Sequence, residues 1–334
     1  MATMTLAEIA KHDPDLILPP DPSHLRQYWD RVDYGRQEAS EMRVAFVAIC
    51  RNAMPWLGLT MKRVEDTGAL FRDWRCFVYE NDSIDGTKDF LAEYVRQSDR
   101  MSVSLNTKNR PHLNYTKSAD RTFALAEYRN ECRHWVRRNC PDFEYTIVFD
   151  ADPWGGWSIN GIANSIGWLE DYEGDLDEPD SWCQDWGQAA GMASYSWAKW
   201  RMPQFGNAIV EAQYDAWACR WNHWDERSEL WFHLWHPPVG SEPVRMNSAF
   251  GQLGVYRTRN FLEGTYRGGD CEHVAHWRTC GGDCYLNPSQ RVVSFWVPDG
   301  EEEKESGGLH GDLHEDVVGG NADPSDSRDA EDIG

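Results

Sequence analysis

The run Tyr145-Thr146-Ile147-Val148-Phe149 closes on Asp150-Ala151-Asp152, and no other stretch of the chain restricts its fold as tightly. The apolar run reads as a buried strand. Both carboxyl groups then emerge at the strand's C-terminal end, where open α/β sheets bind their ligands. Two Asp side chains there can hold a divalent cation through oxygen, and the cation can hold a diphosphate. An acidic chain produces D-x-D by chance, so the position after a strand is what gives the pattern meaning.

The residues before it alternate between strand and helix. Val44–Cys50 reads as a buried strand, and a helical stretch runs from about Pro55 to Gly68. Arg75–Tyr79 is a second strand, and a helix of about Lys88 to Gln97 follows, with Thr87 placed to cap it. Met101–Leu105 is a short strand. Residues 120–138 carry Phe123, Leu125, Ala126, Tyr128 and Trp135 at near-helical spacing. This alternation predicts an α/β domain with a largely parallel sheet flanked by helices.

The second half is less regular. Residues 170–186 form an acidic, Pro-containing loop, and residues 182–235 carry nine of the 18 tryptophans. Trp217, Trp221 and Trp224 fall at helical spacing, which predicts that most of these rings are core. Phe250–Tyr256 and Arg291–Val297 read as further strands.

Charge narrows the partners. The formal net charge is -22, and residues 299–334 hold 13 Asp and Glu against Lys304 and Arg328. That tail is rich in Gly, Asp, Glu and Ser and is predicted to be disordered, with its removal leaving activity intact. An acidic body argues against tight nonspecific binding to a nucleic-acid backbone. No apolar run approaches the roughly 20 residues of a membrane span. Met1-Ala2-Thr3-Met4-Thr5-Leu6 lacks the features of a signal peptide, so a cytoplasmic location is expected. Nine cysteines without such a signal read as free thiols. Cys271, His276, Cys280 and Cys284 offer zinc-ligand chemistry, but not at the spacing of a standard finger.

One resemblance organises these observations. A first strand ends in Ile49-Cys50-Arg51-Asn52, and a second in Glu80-Asn81-Asp82-Ser83-Ile84-Asp85-Gly86-Thr87. Then come a helix with Arg121 and Arg129 and a strand ending in D-x-D. This order over residues 43–155 resembles the nucleotide-sugar half of GT-A glycosyltransferases. The E-N-D-S-x-D-x-T segment in particular resembles the capsule-associated mannosyltransferase-like family and related bacterial and viral enzymes. The likeness continues loosely through Ser248–Arg257 and Gly269–His273.

The resemblance implies a GT-A-like, Rossmann-like fold in one catalytic domain, residues 43–298. Its donor half would be residues 43–155 and its irregular, Trp-rich acceptor half 156–298, with residues 1–42 peripheral. It implies a metal-assisted hexosyltransferase acting on a nucleoside-diphosphate sugar and a hydroxyl acceptor, a glycan or glycoconjugate. Arg51, Asn52, Glu80, Asn81, Asp82, Asp85, Arg121, Arg129 and Asp150 would bind the donor. Asn81, Asp82 and Asp85 suit base and ribose donors, and Arg suits bidentate phosphate contacts. Asp150 and Asp152 would hold Mn²⁺ or Mg²⁺, with Asp152 as the direct ligand and His276, or secondly His273, completing the shell. Glu272, or secondly Asp270, would take the acceptor proton if the enzyme inverts. Asp215 and Trp217 fall where the acceptor would lie.

Rival readings keep their own signatures. Sugar transfer to a hydroxylated base in DNA runs against the acidic body. A nucleotidyltransferase would want a Gly-rich, basic phosphate loop, and Ile49-Cys50-Arg51-Asn52-Ala53 has no Gly run. A non-catalytic carbohydrate-binding protein would use the tryptophans and no metal.

Overall fold

The computed structural model describes residues 9, 11–113, 117–171, 189–202, 205–227 and 230–297. Its elements in chain order are α1 (Pro14–Ile17), α2 (Leu25–Glu41), β1 (Arg43–Cys50), α3 (Leu57–Gly68), β2 (Asp73–Asn81), α4 (Thr87–Gln97) and β3 (Met101–Asn106). Then follow α5 (Ala119–Asn139), β4 (Tyr145–Asp150), β5 (Gly156–Trp157), α6 (Ile159–Asp171), β6 (Ala189–Met202) and β7 (Ala208–Gln213). The chain continues through α7 (Leu230–His233), β8 (Val244–Met246), β9 (Leu253–Arg257), α8 (Thr258–Glu263), α9 (Glu272–Thr279) and β10 (Asp283–Trp296).

The strands form one sheet in the order β3-β2-β1-β4-β9-β6-β10-β5, with β7 beside β6 and β8 beside β10. β1 to β4 run parallel, β9 runs against both β4 and β6, and β10 is parallel to β6. The expected α/β class with a mixed, mostly parallel sheet flanked by helices therefore holds.

Strand alternation explains the layers. Ala45, Val47, Phe77 and Val148 face α5 through Ala124, Tyr128, Cys132 and Val136. Val44, Phe46, Ala48, Val78, Ile147 and Phe149 face the other way, onto Leu57, Met61 and Val64 of α3 and Ile162 and Ile166 of α6. With both faces covered, Val44–Cys50 of β1 is apolar and Tyr145–Phe149 of β4 is apolar but for Thr146, as expected of buried parallel strands. β2 and β3 lie to one side of β1 and β4 to the other. Between the carboxyl ends of β1 and β4 the winding reverses, and such a switch point leaves a crevice. Ile49 pairs with Asp150 in register, so Cys50 and Arg51 emerge beside the D-x-D.

Three local expectations need correcting. Residues 14–41 are packed into the body rather than peripheral. Tyr28, Val32, Gly35 and Ala39 of α2 are buried, at the i, i+4, i+7, i+11 spacing of one helix face. A Cβ on Gly35 would stand 1.8 Å from the Ala163 carbonyl oxygen, so the two helix backbones meet there. Fully buried Arg291 donates to the Tyr28 hydroxyl at 2.9 Å and to Asp15 at 2.6 Å. The signal existed, but a narrow small-residue stripe on a polar helix is easily passed over.

Trp217, Trp221 and Trp224 share no helix. They lie in the irregular segment after β7, and Trp221 is half exposed. Trp182 and Trp186 lie outside the described residues, as does the 299–334 tail. Thr87 is the first residue of α4 rather than its cap. Gly86, at φ 91°, takes the cap position, and the Thr87 hydroxyl accepts from the Ala53 amide at 3.0 Å. None of the described helices is long and apolar enough to cross a membrane.

Candidate active site

A cleft of about 410 Å³ opens at the switch point. Its floor is the end of β4, its walls are the loop after β1, the N-terminal half of α5, the Tyr214–Ala218 segment and the start of α9.

Arg129 organises the floor. It projects from α5, which begins where the Ser118 hydroxyl accepts from the Arg121 amide. Its Nη2 donates to Asp150 Oδ1 at 2.9 Å and its Nε to Glu272 Oε1 at 2.8 Å. Nη1 is buried without a hydrogen-bond partner, and the guanidinium lies 4.9 Å from the Phe250 ring centroid. Burial opposes the Arg129 charge, but Asp150 and then Glu272 outweigh it and keep the group protonated.

The carboxyl groups are under strain of charge. Burial raises Asp150 above the ordinary carboxylate range despite the pull of Arg129. Asp152 opens onto solvent, yet it sits at the bottom of a walled depression. That desolvation, and then the Asp150 charge, push it up to about 6. Asp215, half-buried on the opposite wall, is also pushed up to about 6 by burial, against a 3.0 Å hydrogen bond from the Gly251 amide.

These groups fit a divalent cation. Asp152 makes no side-chain hydrogen bond to another described residue, and Asp150 spends only Oδ1 on Arg129. A cation between them would relieve the desolvated, mutually repelling charges. Asp150 and Asp152 would hold it. Among the described residues no set of three or more His, Cys, Asp or Glu is clustered for a metal, so phosphate oxygens and water would complete the shell.

The facing wall is cationic. Arg51, Arg110, Lys117 and Arg121 line the cleft with Arg129. Arg121 and Lys117 stand 5.4 Å and 5.9 Å from the Trp217 ring centroid. Trp217 lines the cleft with its indole N–H buried and unpartnered.

The other proposed donor residues divide. Asn81 reaches the cleft, where its amide lies 3.4 Å from the Tyr128 hydroxyl. Asn52, Glu80, Asp82 and Asp85 do not line it; they tie loops together. Asn52 Oδ1 accepts from the Ile84 amide at 2.9 Å, and Asp85 Oδ2 from the Met54 amide at 2.9 Å. Glu80 accepts from the Ser83 amide at 2.8 Å. Asp82 accepts from the amides of Lys108, Asn109 and Arg110. Burial alone would raise Asp82; Asn81 and those amides outweigh it and lower the carboxyl. The E-N-D-S-x-D-x-T segment thus clasps the loop after β1 to the 108–111 strand exit. Arg51 belongs partly to the same clasp, donating to the carbonyls of Arg110 and Pro111.

At α9, Glu272 lines the cleft and Asp270 does not. Asp270 receives both oxygens' worth of hydrogen bonds from Arg220 Nη2, at 2.8 Å and 3.0 Å. His276 is not brought to the aspartates. It is fully buried, 4.3 Å centroid to centroid against Tyr266, with Nε2 facing the Phe261 carbonyl at 3.2 Å. Cys271, Cys280 and Cys284 are buried free thiols, and Cys280 donates to the Trp277 and Gly282 carbonyls. They and His276 form no metal cluster among the described residues.

Sequence reasoning gave His273 only the second claim to a metal role, after His276, and missed Gln252, Arg110 and Lys117. His273 lines the cleft and stacks on Phe250 at 3.7 Å, with both ring nitrogens unpartnered and Nε2 3.5 Å from Glu272. Its adjacency to Glu272 was the available signal; the others sit in loops without pattern.

Burial lowers His276 to about 3, and burial with the Arg129 charge lowers His273 well below its ordinary range. Unfolded histidine protonates near 6.5, so these groups lose stability as pH falls below that value. His276 should remove about 2 kcal/mol between pH 7 and pH 5, with His273 acting in the same direction and Asp152 and Asp215 offsetting part. Urea midpoints at the two pH values should show the loss, and His276→Phe should flatten it. An unchanged slope in that variant would sink the assignment.

No protein-family model matches the chain, and no curated protein matches it. Solved structures do match in overall course. One is the mannosyltransferase PcManGT from Pyrobaculum calidifontis in complex with GDP-Man and Mn²⁺. It has 13% identity and a TM-score of 0.43, with 83% of this chain and 66% of that chain covered. Another is GalNAc-T7 with UDP, GalNAc and Mn²⁺, at 14% identity, TM-score 0.43, and 85% and 54% coverage. A third is S. aureus TarS 1–349 in complex with UDP-GlcNAc, at 8% identity, TM-score 0.41, and 78% and 60% coverage. The chain thus spans between 54% and 66% of the length of these structures.

Proposed function

We propose that the chain is a GT-A-like glycosyltransferase that moves a hexosyl group from a nucleoside-diphosphate sugar to a hydroxyl of a glycan or glycoconjugate. The supporting observation is the division of one switch-point cleft into a carboxyl floor and a cationic wall, joined by Arg129. A diphosphate carries charge that the wall suits, and a divalent cation, Mn²⁺ or Mg²⁺, suits the floor. When bound, the cation would neutralise charge on the departing nucleoside diphosphate.

The chain's own groups do the rest. Arg121, Lys117 and the free Nη1 of Arg129 bind the diphosphate and hold it against the floor. Asp215 and the Trp217 N–H grip the acceptor hydroxyls. Glu272 takes the proton from the attacking hydroxyl, and Arg129 fixes its orientation. Neutral His273 beside it keeps a second positive charge away from that proton acceptor.

The test is thermal stability against a panel that begins with GDP-Man and UDP-GlcNAc, with and without Mn²⁺. At about 100 times the dissociation constant, one donor should add about 2.7 kcal/mol in a metal-dependent way. Asp152→Ala should lose that gain. A folded protein showing no shift, or a shift indifferent to metal and to Asp152→Ala, overturns the reading in favour of a carbohydrate-binding protein.

A further inference from the structure

The turn Phe250-Gly251-Gln252 joins both sides of the cleft. The Gln252 carbonyl accepts from the Asp150 amide at 2.9 Å, and the Gly251 amide donates to Asp215 at 3.0 Å. Gly251 has no alternative, because at φ 64° a Cβ would stand 2.0 Å from the Ser194 carbonyl oxygen.

Gln252 continues the left-handed backbone at φ 63°. The other non-glycine residues with positive φ among the described residues are Asn52, Asp82, Asn109 and Asn207. Asn and Asp tolerate that region through local hydrogen bonds, whereas Gln gains nothing comparable. A strained residue that persists is commonly held for a site. Its side chain points the same way. Gln252 is only 7% exposed, lines the cleft, and its Oε1 is buried without a partner. Buried polar atoms normally find one. The Trp217 N–H and Arg129 Nη1, both unpartnered donors, line the same cleft.

We infer that Gln252 is the specificity-determining residue for the transferred sugar, its amide oxygen accepting from a hydroxyl of the sugar in a nucleoside-diphosphate sugar. The assignment rests on the donor-site reading above. The hydroxyl satisfies the unpartnered side-chain acceptor of the turn, and a sugar without a hydroxyl at that place leaves it unpaired. A sugar suits the place, because each of its hydroxyl groups can donate to an acceptor such as Gln252 Oε1 and still accept from another group.

The test compares dissociation constants of UDP with UDP-GlcNAc and UDP-glucose, and of GDP with GDP-mannose, by calorimetry in Mn²⁺. It uses the full chain, Gln252→Asn and Gln252→Gly. Both substitutions suit a positive φ, so neither should lower the melting temperature. For the conjugate that the wild type binds, the ratio of the conjugate's constant to the nucleotide's should rise about tenfold in both variants, with the bare nucleotide unchanged. An unchanged ratio, or equal loss of nucleotide and conjugate, overturns the assignment to Gln252 alone. A wild type that binds neither nucleotides nor conjugates overturns the glycosyltransferase reading, and this inference with it.

Discussion

Arg129→Ala is expected to lower stability by about 3 kcal/mol and to reduce sugar transfer by about 10²–10³-fold. Arg129 is nearly fully buried, as is Glu272, while Asp150 is a quarter exposed. Removing the guanidinium leaves two carboxyls without their cation in a site that already raises Asp150. Breaking a buried pair from one side usually costs 3–5 kcal/mol, and partial exposure of Asp150 places this case at the lower end. The activity loss has a separate origin, in the unspent Nη1 and the orientation of Glu272. Arg129→Lys separates them, because an ammonium keeps the charge but cannot reproduce the planar fork. It should recover part of the stability and little of the turnover. Urea denaturation with single-turnover assays would check this; wild-type stability in Arg129→Ala would show that the clamp is not closed in solution.

Asp152→Asn should abolish metal-dependent transfer, by about 10³-fold or more, while making the metal-free protein more stable. The sign follows from Asp152 titrating near 6 when folded against about 3.9 unfolded. The folded state then binds the proton more tightly, so the group's stabilising contribution is present at low pH and lost as pH rises through 6. At pH 7 the ionised carboxyl works against the fold, and a neutral amide removes that effect. Because the side chain is exposed, screening reduces the gain to about 1 kcal/mol, or about 1–2 °C. Adding Mn²⁺ should stabilise the wild type and leave the variant unmoved. A variant less stable than wild type without metal would contradict the charge-frustrated floor.

Much of the cleft was legible because its chemistry sits at strand ends. β1, β2 and β4 declare themselves by apolar runs and β3 by apolar–polar alternation, and Asp150 and Asp152 must then stand where the sheet opens. Arg121 and Arg129 were visible as two cations a little over two helical turns apart, and both reach the cleft. Glu272 was separable from Asp270 only in three dimensions, where Arg220 claims one and Arg129 the other. The E-N-D-S-x-D-x-T segment shows the limit of a polar motif. Its side chains satisfy backbone amides of crossing loops, and nothing in their order reveals which partner they meet.

His276 shows the same limit from the opposite side. A histidine four residues after Glu272 offers a metal ligand by composition, yet helix α9 turns it into an aromatic core that keeps it neutral. The long β6, the half-exposed Trp221 and the burial of α2 against α6 likewise depended on partners far away in the chain. By itself the sequence determined the covered parallel strands, the α/β alternation and the carboxyl pair at a strand exit, because each follows from local periodicity. Only the tertiary structure decided which polar groups were left unsatisfied at the cleft. Arg129 Nη1, the Trp217 N–H, Gln252 Oε1 and both His273 nitrogens are left without partners there, and that remainder is set by packing between distant segments.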